Sequence, residues 1–178
     1  MDLIQEKIYQ TYGTARIFEK RLQNLLLRMK VLNFVGLAIP LLIGLVFLGF
    51  GEINVYLKTI AVFLGIIQVV VFLWSIISKW DDKYQYAISA LKRQEELHTD
   101  FKLITKETST PQIYIERLLE KENRFNSEDI TQNITEKEKR YAMRRTLYNF
   151  QLSCVVCGIQ PTSIKPLKTD NCDNCSNY

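Results

Sequence analysis

Histidine occurs once in the 178 residues, at His98, and cysteine is absent until residue 154. A single histidine cannot build the paired ligands or base–nucleophile groupings that most hydrolytic and metal-activated chemistry uses. The seven glycines form no Gly-rich loop of the kind that cradles phosphate. No nucleophile lies in a recognisable grouping with a base, so no enzymatic activity is expected. Charge is also unevenly missing. No charged residue occurs from Val31 to Gly51, and none from Thr59 to Ser78. The net charge of +4 is mild and does not by itself point to nucleic acid. The first thirty residues carry mixed charge and lack the short apolar region and small-residue site of a cleavable signal, so the first apolar run is expected to be a retained anchor.

What is present is organised around those two uncharged runs. Each is close to the roughly 20 residues a helix needs to cross a hydrocarbon core. In lipid every backbone amide must be satisfied within the segment, so both runs are expected to be helices, spanning 31–51 and 59–78. The link from Glu52 to Lys58 is short enough to force an antiparallel hairpin. Arg16, Lys20, Arg21, Arg28 and Lys30 precede the first run, and Lys79, Lys83, Lys92 and Arg93 follow the second. The link offers only Lys58, so both ends are expected in the cytoplasm. Trp74 and Trp80 bracket the inner end of the second run, where indole rings favour the interface.

Small and polar residues form a second pattern inside the runs. Asn33, Gly36, Pro40, Gly44 and Gly51 fall near one stripe of the first, and Ala61, Gly65, Gln68 and Ser75 near one stripe of the second. Small residues let helices approach closely, and an amide at membrane depth seeks a partner. The stripes therefore suit helix packing. They also suit a multi-chain pore in which Gln68 and Ser75 meet water, because two helices cannot enclose a channel alone. Pro40 is expected to kink its helix.

The flanking segments are water-facing helices. Ile4, Ile8, Ala15, Phe18, Leu22, Leu25 and Met29 alternate by threes and fours, with Thr11 the weak point. Trp80, Tyr84, Ala87, Ile88, Leu91, Leu97 and Phe101 give a less regular stripe over 79–106. The two helices are expected to pair and to prolong the hairpin, giving a domain over 1–106. A break is expected near Thr105–Gln112, with Pro111 at the first position of a short helix that half-buries Ile113, Ile115, Leu118 and Leu119. Asn123–Asn133 reads as a polar loop. Thr135–Glu138 fits a capping box that opens a helix to about Leu152, within a cytoplasmic segment over 107–152. Tyr141, Arg145, Tyr148 and Leu152 share a face of it. Lys137, Lys139, Arg140, Arg144 and Arg145 read as a solvated basic face near lipid headgroups, and a nucleic-acid partner is not expected.

All four cysteines close the chain, as Cys154-x2-Cys157, fourteen residues, then Cys172-x2-Cys175. Two such pairs supply the four soft ligands of a tetrahedral zinc site, and the expected reducing compartment disfavours disulfides. Gly158 follows the first pair, where a tight knuckle requires a tolerant residue. A small zinc ribbon over 153–178 is expected, with Zn2+ as a structural cofactor and no open position for water.

The whole arrangement resembles the bacterial SLATT family of two-transmembrane proteins, on the heptad-bearing helix Ile4–Met29, the hairpin Val31–Ser78 and the continuation Lys79–Lys106. The tail is similar to mobile-element proteins that join such a hairpin to a CxxC…CxxC ribbon with a shorter spacer. The likeness implies an all-α protein of the bacterial inner membrane that oligomerises and breaches the bilayer in defence against phage or other mobile elements. The residues alone equally fit a membrane-anchored adaptor that recruits a cytoplasmic protein through its helices and ribbon. Gly36, Gly44, Gly65, Gln68 and Ser75 are the candidate pore or helix-packing positions.

Overall fold

The computed structural model describes residues 3–49, 55–106, 111–166 and 172–176. Among them all regular structure is helical: α1 (Leu3–Gly49), α2 (Val55–Ile77), α3 (Trp80–Ile104), α4 (Gln112–Ile130) and α5 (Glu136–Asn149). The chain divides into two compact units, residues 1–21 with 87–178, and residues 22–86. The divisions drawn from composition at 106/107 and 152/153 do not coincide with these units.

In the first unit the start of α1 packs against α3, α4 and α5. Ile4 and Ile8 meet Leu97, Phe101 and Ile104 of α3 and Leu118 and Phe125 of α4 in one apolar cluster. The seven-residue pattern of α1 is buried at Ile4, Ile8, Thr11, Ala15 and Phe18. Thr11 tolerates burial because its hydroxyl donates to the Lys7 carbonyl at 2.8 Å. Along α3 the buried positions are Ala87, Ala90, Gln94, Leu97, Phe101 and Ile104, spaced by threes and fours. Ile88 and Leu91 lie on the flank of that stripe, half-buried. The two helices pair here, with Arg16 bound to Glu95 at 2.8 Å and His98 Nδ1 donating to the Ile8 carbonyl at 3.0 Å. His98 is packed near Tyr12 and Phe150, as a structural side chain.

α4 corrects the sequence reading. Residues 123–130, expected as loop, are helical. The buried stripe is Leu118, Glu122, Phe125 and Asp129, so two of its positions are carboxylates. Both are partnered. Glu122, only 1% exposed, takes an ion pair from Lys7 at 3.0 Å. Asp129 accepts from the buried Gln94 amide at 2.9 Å and lies 3.6 Å from Arg93. A buried charge is tolerated only when so matched. Pro111 is the N-cap rather than the first helical residue, and Ile113 is exposed rather than half-buried.

The second unit contains α1 from Leu22 onward, α2 and the start of α3. α2 has no buried residue, and Phe63, Phe72, Ile76 and Ile77 stand exposed. α1 and α2 are each long and apolar enough to span a membrane. α2 takes up residues 55–58 of the expected link, and Glu52 and Gly51 lie outside the described residues. The expected helical continuation over 79–106 is α3, separated from α2 by a break. α2 stops at Ile77, Lys79 adopts φ +50°, and α3 restarts at Trp80 with Asp81 and Asp82 in its first turn. A left-handed residue ends a helix, and carboxylates favour the positive end of the next.

Candidate functional site

The cysteine site is built on the end of α5. The Thr135 hydroxyl accepts from the Glu138 N–H, and the Glu138 carboxylate accepts from the Thr135 N–H at 2.8 Å, so the expected capping box is complete. Arg21 fastens this corner to α1. It donates to Glu138 at 2.8 Å and to the Gln132 carbonyl at 2.9 Å. α5 ends at Asn149, earlier than expected, and the chain turns through Gln151 at φ +54°. Its buried residues are Ala142, Arg144, Thr146 and Leu147.

Two knuckles then follow the same rule. Gly158 N–H donates to the Cys154 carbonyl at 2.8 Å, and Ser176 N–H donates to the Cys172 carbonyl at 3.0 Å. Gly158 has φ +72°, the left-handed conformation expected at that turn. Ser176 adds its hydroxyl, which donates to the Cys172 carbonyl at 2.8 Å. No strand occurs among the described residues, so the described part of the expected ribbon is two knuckles without β-structure.

The four sulfur atoms lie within 4.8 Å of one another. Cys154 and Cys172 are separated by 4.0 Å, Cys157 and Cys175 by 3.8 Å. Zinc–thiolate bonds of about 2.3 Å set tetrahedral sulfur separations of about 3.8 Å. Cys154, Cys172 and Cys175 are buried and form an apolar cluster with Leu147; Cys157 is exposed. Burial opposes the Cys154 thiolate, yet the N–H groups of Cys157 and Val156 and the Asn174 amide point at its sulfur and hold the thiol down to about 6. Burial and hydrogen bonding among the crowded sulfurs push Cys175 up. Four thiols so placed share negative charge poorly, and a dication resolves that conflict. The cluster could therefore hold a metal ion such as zinc.

Arg144 is the site residue that sequence reasoning misplaced. Expected on a solvated basic face, it is 4% exposed. Its guanidinium donates to the carbonyls of Ser163 at 2.9 Å, Lys165 at 3.3 Å and Cys175 at 3.4 Å. Lys137 and Lys139 are exposed as expected, Lys139 pairing with Glu136 at 2.7 Å, while Arg145 is half-buried and lies 3.5 Å from Glu19. A mid-helix arginine on a polar stretch looks solvated; only the loop carbonyls, distant in sequence, reveal otherwise.

In the second unit Gln68 donates its side-chain amide to the Gly36 carbonyl at 3.1 Å. Ala61, Gly65, Gln68 and Ser75 are the half-buried positions of an otherwise exposed α2 face, whereas Asn33, Gly36 and Pro40 are exposed. Side chains added at Gly36, Gly44 or Gly65 would meet nothing within 4 Å.

Together these features define an all-helical chain with two helices of membrane-spanning length and a terminal four-cysteine cluster. The chain belongs to the mobilome CxxCx(11)CxxC protein family, whose model matches residues 2–178. The spacer here is fourteen residues rather than eleven, and the four sulfurs still converge. No curated protein and no solved structure matches the chain.

Proposed function

We propose that the chain is a membrane-anchored adaptor of a mobile genetic element. Its hairpin tethers a zinc-clamped helical unit that recruits a cytoplasmic protein. The observation that carries this reading is the Gln68 amide, which is bonded to Gly36 within the same chain. A polar group so spent supports a packing role over a water-lined one. The large exposed apolar surface of α2 is of a size that water does not tolerate and lipid does. Lys and Arg on both flanks, with Lys58 alone at the far end, support cytoplasmic termini. Zinc is the ion that suits the four thiolates, and with all positions filled by protein its role is structural. Replacing residues 31–78 with an unrelated two-span anchor tests the adaptor. Retained partner capture is expected, and its loss sinks the reading.

The second reading is the oligomeric effector that perturbs the inner membrane, as the likeness of residues 4–106 to the SLATT family implies. The open space at Gly36, Gly44 and Gly65 favours it, because those positions offer a second copy close approach. Depolarisation of cells on induced expression is its signature; an unchanged potential in the presence of the cognate partner rejects it.

A further inference from the structure

In the first unit α1 and α5 come close together at Gly13. A side chain at Gly13 would lie 3.1 Å from the Thr146 hydroxyl and 3.6 Å from the Ala142 methyl. Beside this contact the helices leave a groove of about 590 Å³, lined by Ile17, Ala142, Met143, Leu147, Leu152 and Val155 among others. Its rim carries Glu6 and Lys139, the latter an exposed side chain that also pairs with Glu136 at 2.7 Å. Leu152 reaches the groove from the chain leading into the first knuckle and Val155 from the knuckle itself, so the cysteine site helps to shape its wall.

The first knuckle also presents a bare apolar tip. Val155 is 92% exposed, Val156 66% and Ile159 62%. The tip is held rigid by the bonds from Gly158 N–H to Cys154 and from Cys154 N–H to the Ile159 carbonyl, at 2.8 and 3.0 Å. A preorganised apolar protrusion therefore borders a preformed apolar groove on the same unit. When a patch contains both a protrusion and a recess, a twofold axis can seat each in its counterpart.

We infer that this patch is a contact between two copies of the chain, the Val155–Val156–Ile159 tip of each entering the α1–α5 groove of the other. The rim charges support a second copy as the occupant. Across a twofold axis Glu6 of one protomer can face Lys139 of its partner, so the rim complements itself without help from another protein. Confinement of copies to one membrane, which rests on the anchored reading above, would raise their effective concentration.

The test uses the full-length, zinc-loaded chain in lipid nanodiscs, with isotopically light and heavy copies mixed. A photocrosslinking side chain is introduced at Val156, which belongs to the tip but does not line the groove. Crosslinks from one isotopic form to peptides within 6–17 or 139–147 of the other are expected. Glu6→Lys should reduce the crosslinked fraction severalfold, and adding Lys139→Glu should restore it. Crosslinks confined to lipid would assign the tip to the bilayer surface and overturn the pairing, as would a zinc-loaded species of monomer mass. Zinc content is read on the same sample. Pairing that persists without bound metal would overturn the claim that the metal shapes the tip, and leaves the contact itself standing.

Discussion

The side-chain amide of Gln68 donates to the carbonyl of Gly36, four residues before Pro40. In an unbroken helix that carbonyl accepts from the N–H of residue 40, and proline has none. Gln68 supplies the missing donor from the neighbouring helix. The pairing explains why a costly polar side chain stands in an apolar run, and why it stands opposite the proline. Gln68→Leu should destabilise the hairpin by about 1 kcal/mol, the usual size of such bonds between apolar helices. Pro40→Ala should restore the backbone donor and make the same substitution nearly neutral. Unfolding of both single variants and the double variant in detergent measures the coupling. Additive losses would show that the two residues act independently.

Arg144 joins the two halves of the cysteine site through the Ser163, Lys165 and Cys175 carbonyls. Arg144→Ala would leave those carbonyls, the buried one of Cys175 among them, without a charged donor, at a cost of about 1.5–3 kcal/mol. Because Cys175 is one of the four sulfur donors, the loss should appear as weaker metal binding, by roughly 10–100-fold. Lysine cannot reproduce a planar fork of donors, so Arg144→Lys should recover only part of it. Competition with a chromophoric chelator gives both values. Unchanged affinity in the alanine variant would reduce Arg144 to packing.

Most of the helices and the four-cysteine cluster were legible in the sequence because their signals are local. Thr135 and Glu138 make their capping box within one turn, and the four cysteines declare themselves by spacing. What escaped was settled by contacts between distant segments. Glu122 and Asp129 looked like surface residues, so the second half of α4 read as loop; Lys7 and Gln94 are the partners that allow those carboxylates into the helix interface. Gln94 was passed over in α3 for the same reason. The break at Lys79 carries no glycine or proline to announce it.

Metal removal should divide the first unit along its two apolar clusters. One joins α1, α3 and α4 and contains no cysteine, whereas the other consists of Leu147 and three of the four cysteines. Structural zinc binds with an apparent free energy of about 10–16 kcal/mol, nearly all of it available to fold a segment this small. A strong chelator should therefore speed amide exchange at Cys154, Gly158 and Ser176 by at least about a hundredfold. Amides of Leu97 and Phe101 should keep their protection. Exchange that rises equally in both clusters would show that the metal holds the entire unit.

Glu138 links the capping box to Arg21, and it gives the helical unit a defined acid sensitivity. Burial pushes its carboxyl up, but the Arg21 guanidinium and the Thr135 N–H and hydroxyl outweigh that and hold it below the ordinary range. A carboxylate whose folded value is depressed stabilises fully above its unfolded value of about 4.3. That contribution is lost as pH falls through the lower folded value. Protonation of the cysteines weakens metal binding in acid as well, so the wild-type profile alone mixes two effects. Glu138→Gln keeps an acceptor for the Thr135 N–H and removes only the charge. The stability gap between the two proteins should be constant above about pH 5 and should close progressively below pH 4. Urea midpoints measured across that interval decide it, and a gap that does not narrow in acid would show that the Arg21–Glu138 pair contributes nothing through its charge.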